Sequence, residues 1–409
     1  MTTSLTAIIR YATLGLTIIQ KKNMKRLVTC AMLSIFLLSA CTKNPIPADP
    51  KEEPIPNPNG GSEETIPATA DIYIIGEKYT GYQGSYALWA EGTIKESFTD
   101  YSLEGAGLES IFIQENSGKK TVHFFGSKSV SQNASRITYF NKKNYVTLSD
   151  KLNIPIISSW NEAFIAHTTF NKEAYLMAAS TLTDLSDKRY YYKIDRAGNP
   201  TVHELLRNKA YEFIAVGSSG VFVSHYEAKL FWTDISVYRE NNFLNTYRVE
   251  LQDFSYLTPH DMVMVNDHIA GFICSARYDP TSITGYLYVT VDLNTKVVQS
   301  HRLGLPVDFH AGNLTVKGNI VLLYGYVNND KTAYYYQIGY STSGLFVIQK
   351  VPLEANGTSV YTTSDIYDSG ASIYVSGNED NNPVYWKDGK IVRMQVASST
   401  KAILHDIRN

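Results

Sequence analysis

A chain of 409 residues with 44% hydrophobic residues can bury a large core, in one domain or in two or three smaller ones. Its 37 basic and 39 acidic residues lack the positive excess with which a nucleic-acid-binding protein displaces counterions from phosphate, so no nucleic-acid partner is expected. The 30 Tyr and 16 Phe, set in short alternating runs, favour strands over helices.

The first segment in chain order, residues 1–41, ends with the features of a secretory signal peptide. A basic pair follows Met24, an apolar run covers residues 27–38, and small residues precede Cys41. The apolar run is shorter than the roughly 20 residues that a lasting transmembrane helix needs, which disfavours a membrane span. Because Met24 already begins a complete signal peptide, we expect it to be the true start of the protein.

The sequence Leu-Ser-Ala-Cys that ends at Cys41 resembles the lipobox of bacterial lipoproteins, in which the cysteine thiol is acylated after cleavage. The resemblance implies lipidation of Cys41 and attachment to a membrane of the cell envelope. An Asp directly after the acylated cysteine would resemble an inner-membrane retention signal, but this position is occupied by Thr42. The expected location is therefore the outer membrane, on its periplasmic or surface side. Cys274 is the remaining cysteine of the mature chain, so no intramolecular disulfide is expected.

Residues 42–67 are predicted to form a tether. They hold half of the 14 prolines of the chain, mixed with Lys, Glu and Gly. Such a segment cannot pair as a sheet or bury a core, and its composition is typical of an extended, semi-rigid spacer. The folded domain is therefore predicted to fill residues 68–409.

The sequence of this domain repeats at a spacing of about 50 residues, which is typical of four-stranded propeller blades. Each copy contains a short strand opened by an acid or amide, an apolar strand that ends in a small residue, and an aromatic strand. The apolar strands are predicted to start at Ile72, Val122, Ala174, Val221, Ile269, Val321 and Ile373. Seven copies predict an all-β, seven-bladed β-propeller with four strands per blade, because six or eight blades would leave a copy unmatched or missing.

The last copy of the short strand predicts how the ring closes. No such strand precedes Ile72, whereas residues 402–407 form one that nothing follows. We therefore expect the C-terminal strand to pair with the N-terminal blade. This closure would leave no exposed strand edge at the ends of the ring.

The first and last copies are the most alike. Residues 71–76 precede 86–92 in the first copy, and residues 372–377 precede 384–389 in the last. Their pattern, Tyr-Val-x-Gly followed by Tyr-Trp-Lys-x-Gly, resembles the repeat of β-propeller envelope lipoproteins from Bacteroidota. The resemblance implies this fold and a cell-envelope origin, and it brings neither an agreed activity nor a catalytic residue.

An acid or amide opens each short strand, and the repeat predicts that these side chains lie at one level of the innermost strands. They are Glu109, Glu162, Glu212, Asp261, Asn313, Asp365 and Asp406. Carboxylates on one ring repel each other unless a cation bridges them, so one hypothesis is a metal site for an ion such as calcium. The alternative is that each side chain accepts hydrogen bonds from a neighbouring turn.

Three histidines, His260, His310 and His405, lie at or just before the same strand starts. If they converge, they could bind a ligand or a metal ion, or transfer a proton. The alternative is ordinary hydrogen bonding in turns or between blades. Trp89 and Trp160 are candidates for stacking on a sugar ring, and the alternative for them is burial between blades.

No linear catalytic motif is present: neither His-Glu-x-x-His, nor Gly-x-Ser-x-Gly, nor Cys-x-x-Cys occurs. The expected function is a non-catalytic binding or scaffold lipoprotein of the outer membrane that presents its propeller to a glycan or protein ligand. A glycan-active enzyme, such as a polysaccharide lyase or hydrolase with its site on the propeller axis, is the alternative, because Tyr, His and Arg can act there without a linear motif. A purely structural role in a larger assembly is a third hypothesis.

Overall fold

The computed structural model describes most of the predicted propeller. The described residues are 66–80, 83–98, 106–116, 118–131, 134–141, 144–148, 161–181, 187–206, 209–250, 253–278, 283–340, 346–396 and 401–408. The predicted leader with Cys41, and residues 42–65 of the predicted tether, lie outside them. Within the described residues, no helix is long and apolar enough to cross a bilayer.

Strands account for most of the described residues. In chain order they are β1 (Ile66–Pro67), β2 (Tyr73–Thr80), β3 (Gln83–Ala90), β4 (Thr93–Phe98), β5 (Ala106–Asn116), β6 (Lys119–Ser131), β7 (Ala134–Asn141), β8 (Asn144–Thr147), β9 (Asn161–Phe170), β10 (Glu173–Thr181), β11 (Asp187–Ile194), β12 (Pro200–Glu204), β13 (Phe213–Gly217), β14 (Gly220–Lys229), β15 (Trp232–Arg239), β16 (Asn242–Glu250), β17 (Tyr256–Met264), β18 (Ile269–Arg277), β19 (Ile283–Asp292), β20 (Val298–Arg302), β21 (Phe309–Lys317), β22 (Ile320–Val327), β23 (Ala333–Tyr340), β24 (Phe346–Leu353), β25 (Tyr361–Asp368), β26 (Ile373–Glu379), β27 (Asn382–Lys387), β28 (Lys390–Arg393) and β29 (Lys401–Arg408).

Within the described residues, these strands pair antiparallel into seven sheets, here called blades 1 to 7. Blade 1 consists of β29, β2, β3 and β4, and blade 2 of β5 to β8 with the short β1 paired to β6. Blades 3 to 7 each use four consecutive strands, from β9–β12 to β25–β28. The predicted seven-bladed propeller with four strands per blade is confirmed.

The C-terminal strand completes the N-terminal blade, as predicted. β29 pairs antiparallel with β2, so that Ile407 lies opposite Ile74. Ile407 is fully buried and packs in a cluster with Trp89 of blade 1 and Tyr385 of blade 7. Backbone hydrogen bonds and apolar packing therefore close the ring together.

Apolar side chains are buried mainly between the blades. In the described part of the chain they form seven clusters, one for each pair of neighbouring blades. Ile72 and Ile74 pack towards blade 7, whereas Tyr73 and Ile75 pack towards blade 2. Successive side chains of a strand point to opposite faces, so each inner sheet needs apolar residues on both. This explains the nearly continuous apolar runs of the repeat.

A β-bulge interrupts the innermost strand of five blades at equivalent positions. The bulged residues are Glu109 in β5, His260 in β17, Gly312 and Asn313 in β21, Ser364 in β25 and His405 in β29. Directly before each bulge, the partner residue in the second strand is small. These partners are Gly126, Cys274, Gly325, Gly377 and Gly76.

Close approach of the two backbones explains the glycine of the repeat. A Cβ built on Gly377 would lie 2.0 Å from the carbonyl oxygen of Thr362, and one built on Gly325 would lie 2.4 Å from that of His310. Neither carbonyl can move without opening the ladder between the first and second strands. In blades 6 and 7, the small residue that ends the predicted apolar strand is therefore required by the bulge opposite it.

Replacement of this glycine is the first prediction. Gly377→Ala is expected to lower the free energy of unfolding by about 1–3 kcal/mol, because the added methyl group overlaps a backbone oxygen. Gly285→Ala in β19 is the matched control, since its Cβ would lie 3.6 Å from the nearest atom of Phe254, an ordinary contact. Chemical unfolding of both variants measures the difference. An equal loss of stability at the two positions would contradict the role assigned to the bulge.

Candidate functional site

The innermost strands of the seven blades line an axial channel. One part of it is a cavity of ≈ 420 Å³, which is lined by β9, β13, β17, β21 and β25 and reached by Arg408 of β29. A second cavity of ≈ 410 Å³ lies beside β5 and β9 and shares Tyr367 and Arg408 with the first. The channel wall mixes hydroxyl, amide and charged side chains with apolar ones.

The seven predicted ring residues do not all open strands, which corrects the sequence-based expectation. Five stand inside innermost strands that begin several residues earlier and continue through the bulge: Glu109, Asp261, Asn313, Asp365 and Asp406. Glu162 is the second residue of β9, and Glu212 directly precedes β13. The apolar alternation that marks a strand in the sequence is lost at a bulge, and this hid the true strand starts.

Asp261 and Asp365 lie at the channel wall and connect neighbouring blades. The Oδ2 atom of Asp261 accepts the backbone N–H of Leu314 in blade 6 at 2.6 Å. The Oδ2 atom of Asp365 accepts the backbone N–H of Ile407 at 3.2 Å and the Nη1 donor of Arg408 at 3.0 Å. Blade 5 is thereby tied to blade 6, and blade 7 to the C-terminal strand of blade 1.

Glu162 is turned away from the channel into the interface between blades 2 and 3. Its side chain is fully buried, and its Oε2 atom accepts the backbone N–H of Ile137 at 2.7 Å. Its Oε1 atom accepts hydrogen bonds from the hydroxyls of Tyr190 and Tyr192. These three donors satisfy the carboxylate, as a buried charge requires.

The remaining ring residues give no metal site in the described structure. Burial raises the pKa of Glu212, and the nearby Arg189 opposes that shift. The side chains of Glu109 and Asp406 lie outside the described part. Among the side chains that the structure describes, no three His, Cys, Asp or Glu residues lie close enough together to hold a metal ion.

Two of the three predicted histidines line one cavity. This cavity, of ≈ 240 Å³, is bordered by His260, His310, Tyr286 and Val307, and is called the His260–His310 pocket below. His260 is the bulged residue of β17, and His310 is the second residue of β21 in the next blade. His405 stands in β29 of blade 1, with blade 7 between it and blade 6, and its side chain is not among those described.

His310 presents an exposed ring at this pocket. Its exposed imidazole is stacked on Tyr326, with ring centroids 4.8 Å apart and an angle of 19° between the ring planes. The side-chain nitrogen of Asn328 lies 3.0 Å from Nε2 of His310. A flat ring next to hydrogen-bonding groups suits a ligand that is itself part apolar and part polar. No sequence signal pointed to Tyr326 or Asn328.

The pKa values of two side chains in this pocket are shifted so that each favours its neutral form. Burial and the nearby Arg277 guanidinium lower the pKa of His260, so its imidazole is neutral at neutral pH. Burial raises the pKa of Tyr286, whose hydroxyl donates to the carbonyl oxygen of Phe309. Cys274, the free thiol of the described part, is buried, and burial raises its pKa, which removes it as a nucleophile.

The two predicted tryptophans have different outcomes. Trp89 is 1% exposed, lies in the core between blades 7 and 1, and donates its indole N–H to the carbonyl oxygen of Gln395 at 2.9 Å. Neither face of its ring is open to an external sugar, because inter-blade packing encloses it. Trp160 lies outside the described residues.

The fold and these cavities define the class of protein: a seven-bladed β-propeller with an axial channel and the His260–His310 pocket. No model of a known protein family matches this sequence, and no curated protein matches it. Solved structures do share the architecture at low sequence identity.

Three such structures illustrate the likeness. A puromycin-hydrolysing peptidase from Mycobacterium tuberculosis superposes with a TM-score of 0.50 at 11% identity, over 82% of this chain and 53% of its own length. The polysaccharide lyase Uly1 has a TM-score of 0.45 at 8% identity, over 82% of this chain and 91% of that one. An apocarotenoid oxygenase from Synechocystis has a TM-score of 0.41 at 8% identity, over 72% and 74%. This chain thus spans about half of the peptidase, and the likeness concerns the fold alone.

The buried carboxyl group of Asp261 generates the second prediction. Burial raises the pKa of Asp261 from 3.8 to about 6, against the opposing backbone N–H bonds of Leu314 and Met262. Because the folded-state pKa exceeds the unfolded one, the stabilisation from this group is complete below about pH 4 and is lost as the pH rises through about 6.

Asp261→Asn keeps an acceptor for Leu314 and carries no charge. The difference in the free energy of unfolding, Asp261→Asn minus wild type, is expected to increase by up to about 3 kcal/mol as the pH rises from about 4 to about 6. Above about pH 6 this difference is expected to remain constant. Unfolding curves across this pH range measure the gain, and the exposed Asp253→Asn is the control. A gain that is the same at every pH would show that removal of the buried charge is not its cause.

Proposed function

We propose that this protein is a non-catalytic binding lipoprotein of the bacterial cell envelope that presents one face of its propeller to a glycan. Acylation of Cys41 would attach it to the outer membrane, and residues 42–65 would hold the propeller away from the bilayer. The lipobox-like sequence before Cys41 and the prolines after it support this attachment. The exposed His310–Tyr326 stack supports the binding role and carries the proposal.

The groups that could meet a ligand lie at one end of the propeller. This end, called the upper face below, is where the innermost strands begin. Because strands alternate in direction, the hairpins between second and third strands also lie there. The upper face carries the His260–His310 pocket and the exposed side chains of Phe231, Tyr278 and Val307, which are 56%, 58% and 60% exposed. Exposed rings beside polar groups are the features that a sugar ligand needs.

The described tyrosines and two of the inter-blade carboxylates are not prepared to act as general bases. A general base works best with a pKa near the operating pH. In the part of the chain that the structure describes, each tyrosine with a shifted pKa has it raised, so these phenols keep their protons at neutral pH. The carboxylates of Glu162 and Asp365 are engaged by donors from within the protein.

One observation favours the alternative of a glycan-active enzyme. His260 is neutral at neutral pH and shares its pocket with Tyr286, and a neutral imidazole can accept a proton from a substrate. The hydroxyl of Tyr286 is held by the carbonyl oxygen of Phe309, so it is not directed at a substrate. His260 and Tyr286 therefore provide a group that can accept a proton from a substrate, but no group that is positioned to donate one.

Ligand-dependent thermal stability tests the binding proposal. A ligand bound only by the folded state raises the melting temperature, so at least one polysaccharide in a panel of neutral and acidic polymers is expected to do so. His310→Ala is expected to weaken that binding by about tenfold, because it removes the exposed ring of the stack. His268→Ala, at the opposite end of the propeller, is the control and is expected to bind normally. Absence of a shift with every polysaccharide, or an equal shift in His310→Ala, would contradict the proposal.

An activity assay separates the two candidate functions. The same polysaccharides are incubated with the protein, and new reducing ends and unsaturated products are measured. The binding proposal predicts that neither accumulates. Turnover that His260→Gln abolishes, and that His268→Gln leaves intact, would establish the enzyme instead. Repeating both assays with calcium and with a chelator tests whether an ion takes part.

A further inference from the structure

Three side chains from separate strand ends meet on the upper face of blade 5. The guanidinium of Arg302 lies 5.3 Å from the centroid of the Phe254 ring. The ring of Tyr278 lies 5.5 Å from the same Phe254 ring, tilted by 36°. Phe254 itself is almost buried, whereas Tyr278 is exposed. These three side chains are called the blade 5 platform below.

The direction of the strands explains why these three side chains lie close together. Phe254 lies two residues before β17, Tyr278 directly follows β18, and Arg302 is the last residue of β20. The first strand of a blade begins at the upper face, whereas its second and fourth strands end there. Residues far apart in the sequence are thus brought to one edge, each on the end of a rigid strand.

The neighbouring blade adds a second exposed ring. Phe231 occupies the turn between β14 and β15, and its backbone N–H donates to the carbonyl oxygen of Ser255, next to Phe254. Phe231 has a φ of 72°, a conformation in which a bulky residue is uncommon. The turn nevertheless presents the Phe231 ring to solvent.

The charge of Arg302 is not neutralised within the described structure. Arg248 on blade 4 provides the comparison, since its guanidinium also stacks on a ring, 4.9 Å from the centroid of Trp232. Asp234 binds Arg248 through two hydrogen bonds, of 2.9 and 3.1 Å. Among the residues that the structure describes, no carboxylate lies within ion-pair distance of Arg302. Arg302 is itself exposed, so an anion from outside can reach it.

We propose that the blade 5 platform binds an acidic sugar, such as a uronate unit of a polysaccharide. Arg302 would bind the sugar carboxylate through two parallel N–H donors, and Tyr278 would contact the apolar face of the ring. The Phe254 ring holds the guanidinium in place from below. This inference rests on the proposed glycan-binding function and assigns its ligand class. A single exposed arginine beside the exposed ring of Tyr278 fits one charged sugar, whereas an acidic protein segment would need several cations.

Matched ligands and matched variants test this proposal. Calorimetric titrations of the purified full-length protein use oligomers of galacturonate, mannuronate and glucuronate, each beside its neutral methyl ester. Poly-glutamate provides acidic groups without sugar rings. The variants are Arg302→Gln and the control Arg248→Gln, which removes a stacked arginine that Asp234 already neutralises. Melting temperatures confirm that both variants are folded.

At least one of the three acidic oligomers is expected to bind the wild-type protein. Its methyl ester, and the Arg302→Gln variant, are expected to show affinity lower by about tenfold or more, because a charge-assisted pair is lost in each case. Arg248→Gln is expected to bind within about twofold of the wild type. Binding should also weaken as salt is added, since the contact with Arg302 is electrostatic.

Three results would overturn the inference: equal affinity for acids and esters, equal affinity of Arg302→Gln and Arg248→Gln, or tighter binding of poly-glutamate than of any uronate. The last result would favour an acidic protein as the partner. If neutral polysaccharides bind and uronates bind no better, the inference fails and the proposed function stands. If no polysaccharide of either kind binds, both fail.

Discussion

Pairing of the last strand with the first blade is the constraint on which the rest of the structure depends. Each blade has apolar side chains on both faces, so it needs a neighbour on both sides. Without β29, blade 1 would lack its innermost strand, and the cluster between blades 7 and 1 would lose Ile407. The hydrogen bonds from Ile407 and Arg408 to Asp365 bind this strand to blade 7 as well. Sheet pairing, apolar packing and an ion pair therefore stabilise the same closure.

The repeated bulge links this closed ring to the candidate site. A bulge places one extra residue in the innermost strand and changes the direction of its side chain. In blade 5 the bulged residue is His260, which lines the pocket, and the next residue, Asp261, lies at the channel wall. The bulge thus directs the side chain of His260 to the upper face and that of the adjacent Asp261 to the channel. The glycines opposite the bulges are what allow the two strands to approach so closely.

Much of the fold could be predicted from the sequence, because a propeller repeats its periodicity. The predicted starts of the apolar strands, such as Val221 and Ile373, fall within one residue of the start of β14 and at the start of β26. The unpartnered strand at the C-terminus also predicted the closure. The bulges were not predicted, because an extra residue in a strand leaves no periodic signal. Because the bulges were missing from the prediction, the ring residues were predicted to open their strands, whereas most of them lie inside the strands.

The candidate site was predictable only in part. His260 and His310 drew attention because both lie near predicted strand starts in neighbouring blades, and both line one pocket. Burial of the Glu162 side chain could not be predicted. The bulge of β9 lies after Glu162, between Phe164 and Ala166, so that the side chain of Glu162 points into the core. Arg302 carried no signal at all, since only the three-dimensional arrangement of strand ends brings it to Phe254.

Hydrogen exchange of the backbone amides in the C-terminal strand tests the central claim most directly. If β29 is an integral strand of the closed ring, its amides open only with the whole propeller, and residues 401–408 exchange as slowly as the core of β14 in blade 4. Mass spectrometry of peptides that cover both strands compares the two rates in one sample. Slow exchange in both strands is the result that the closed ring predicts. Rapid exchange in β29 beside slow exchange in β14 would show that the ring is held without its last strand, and would contradict the account.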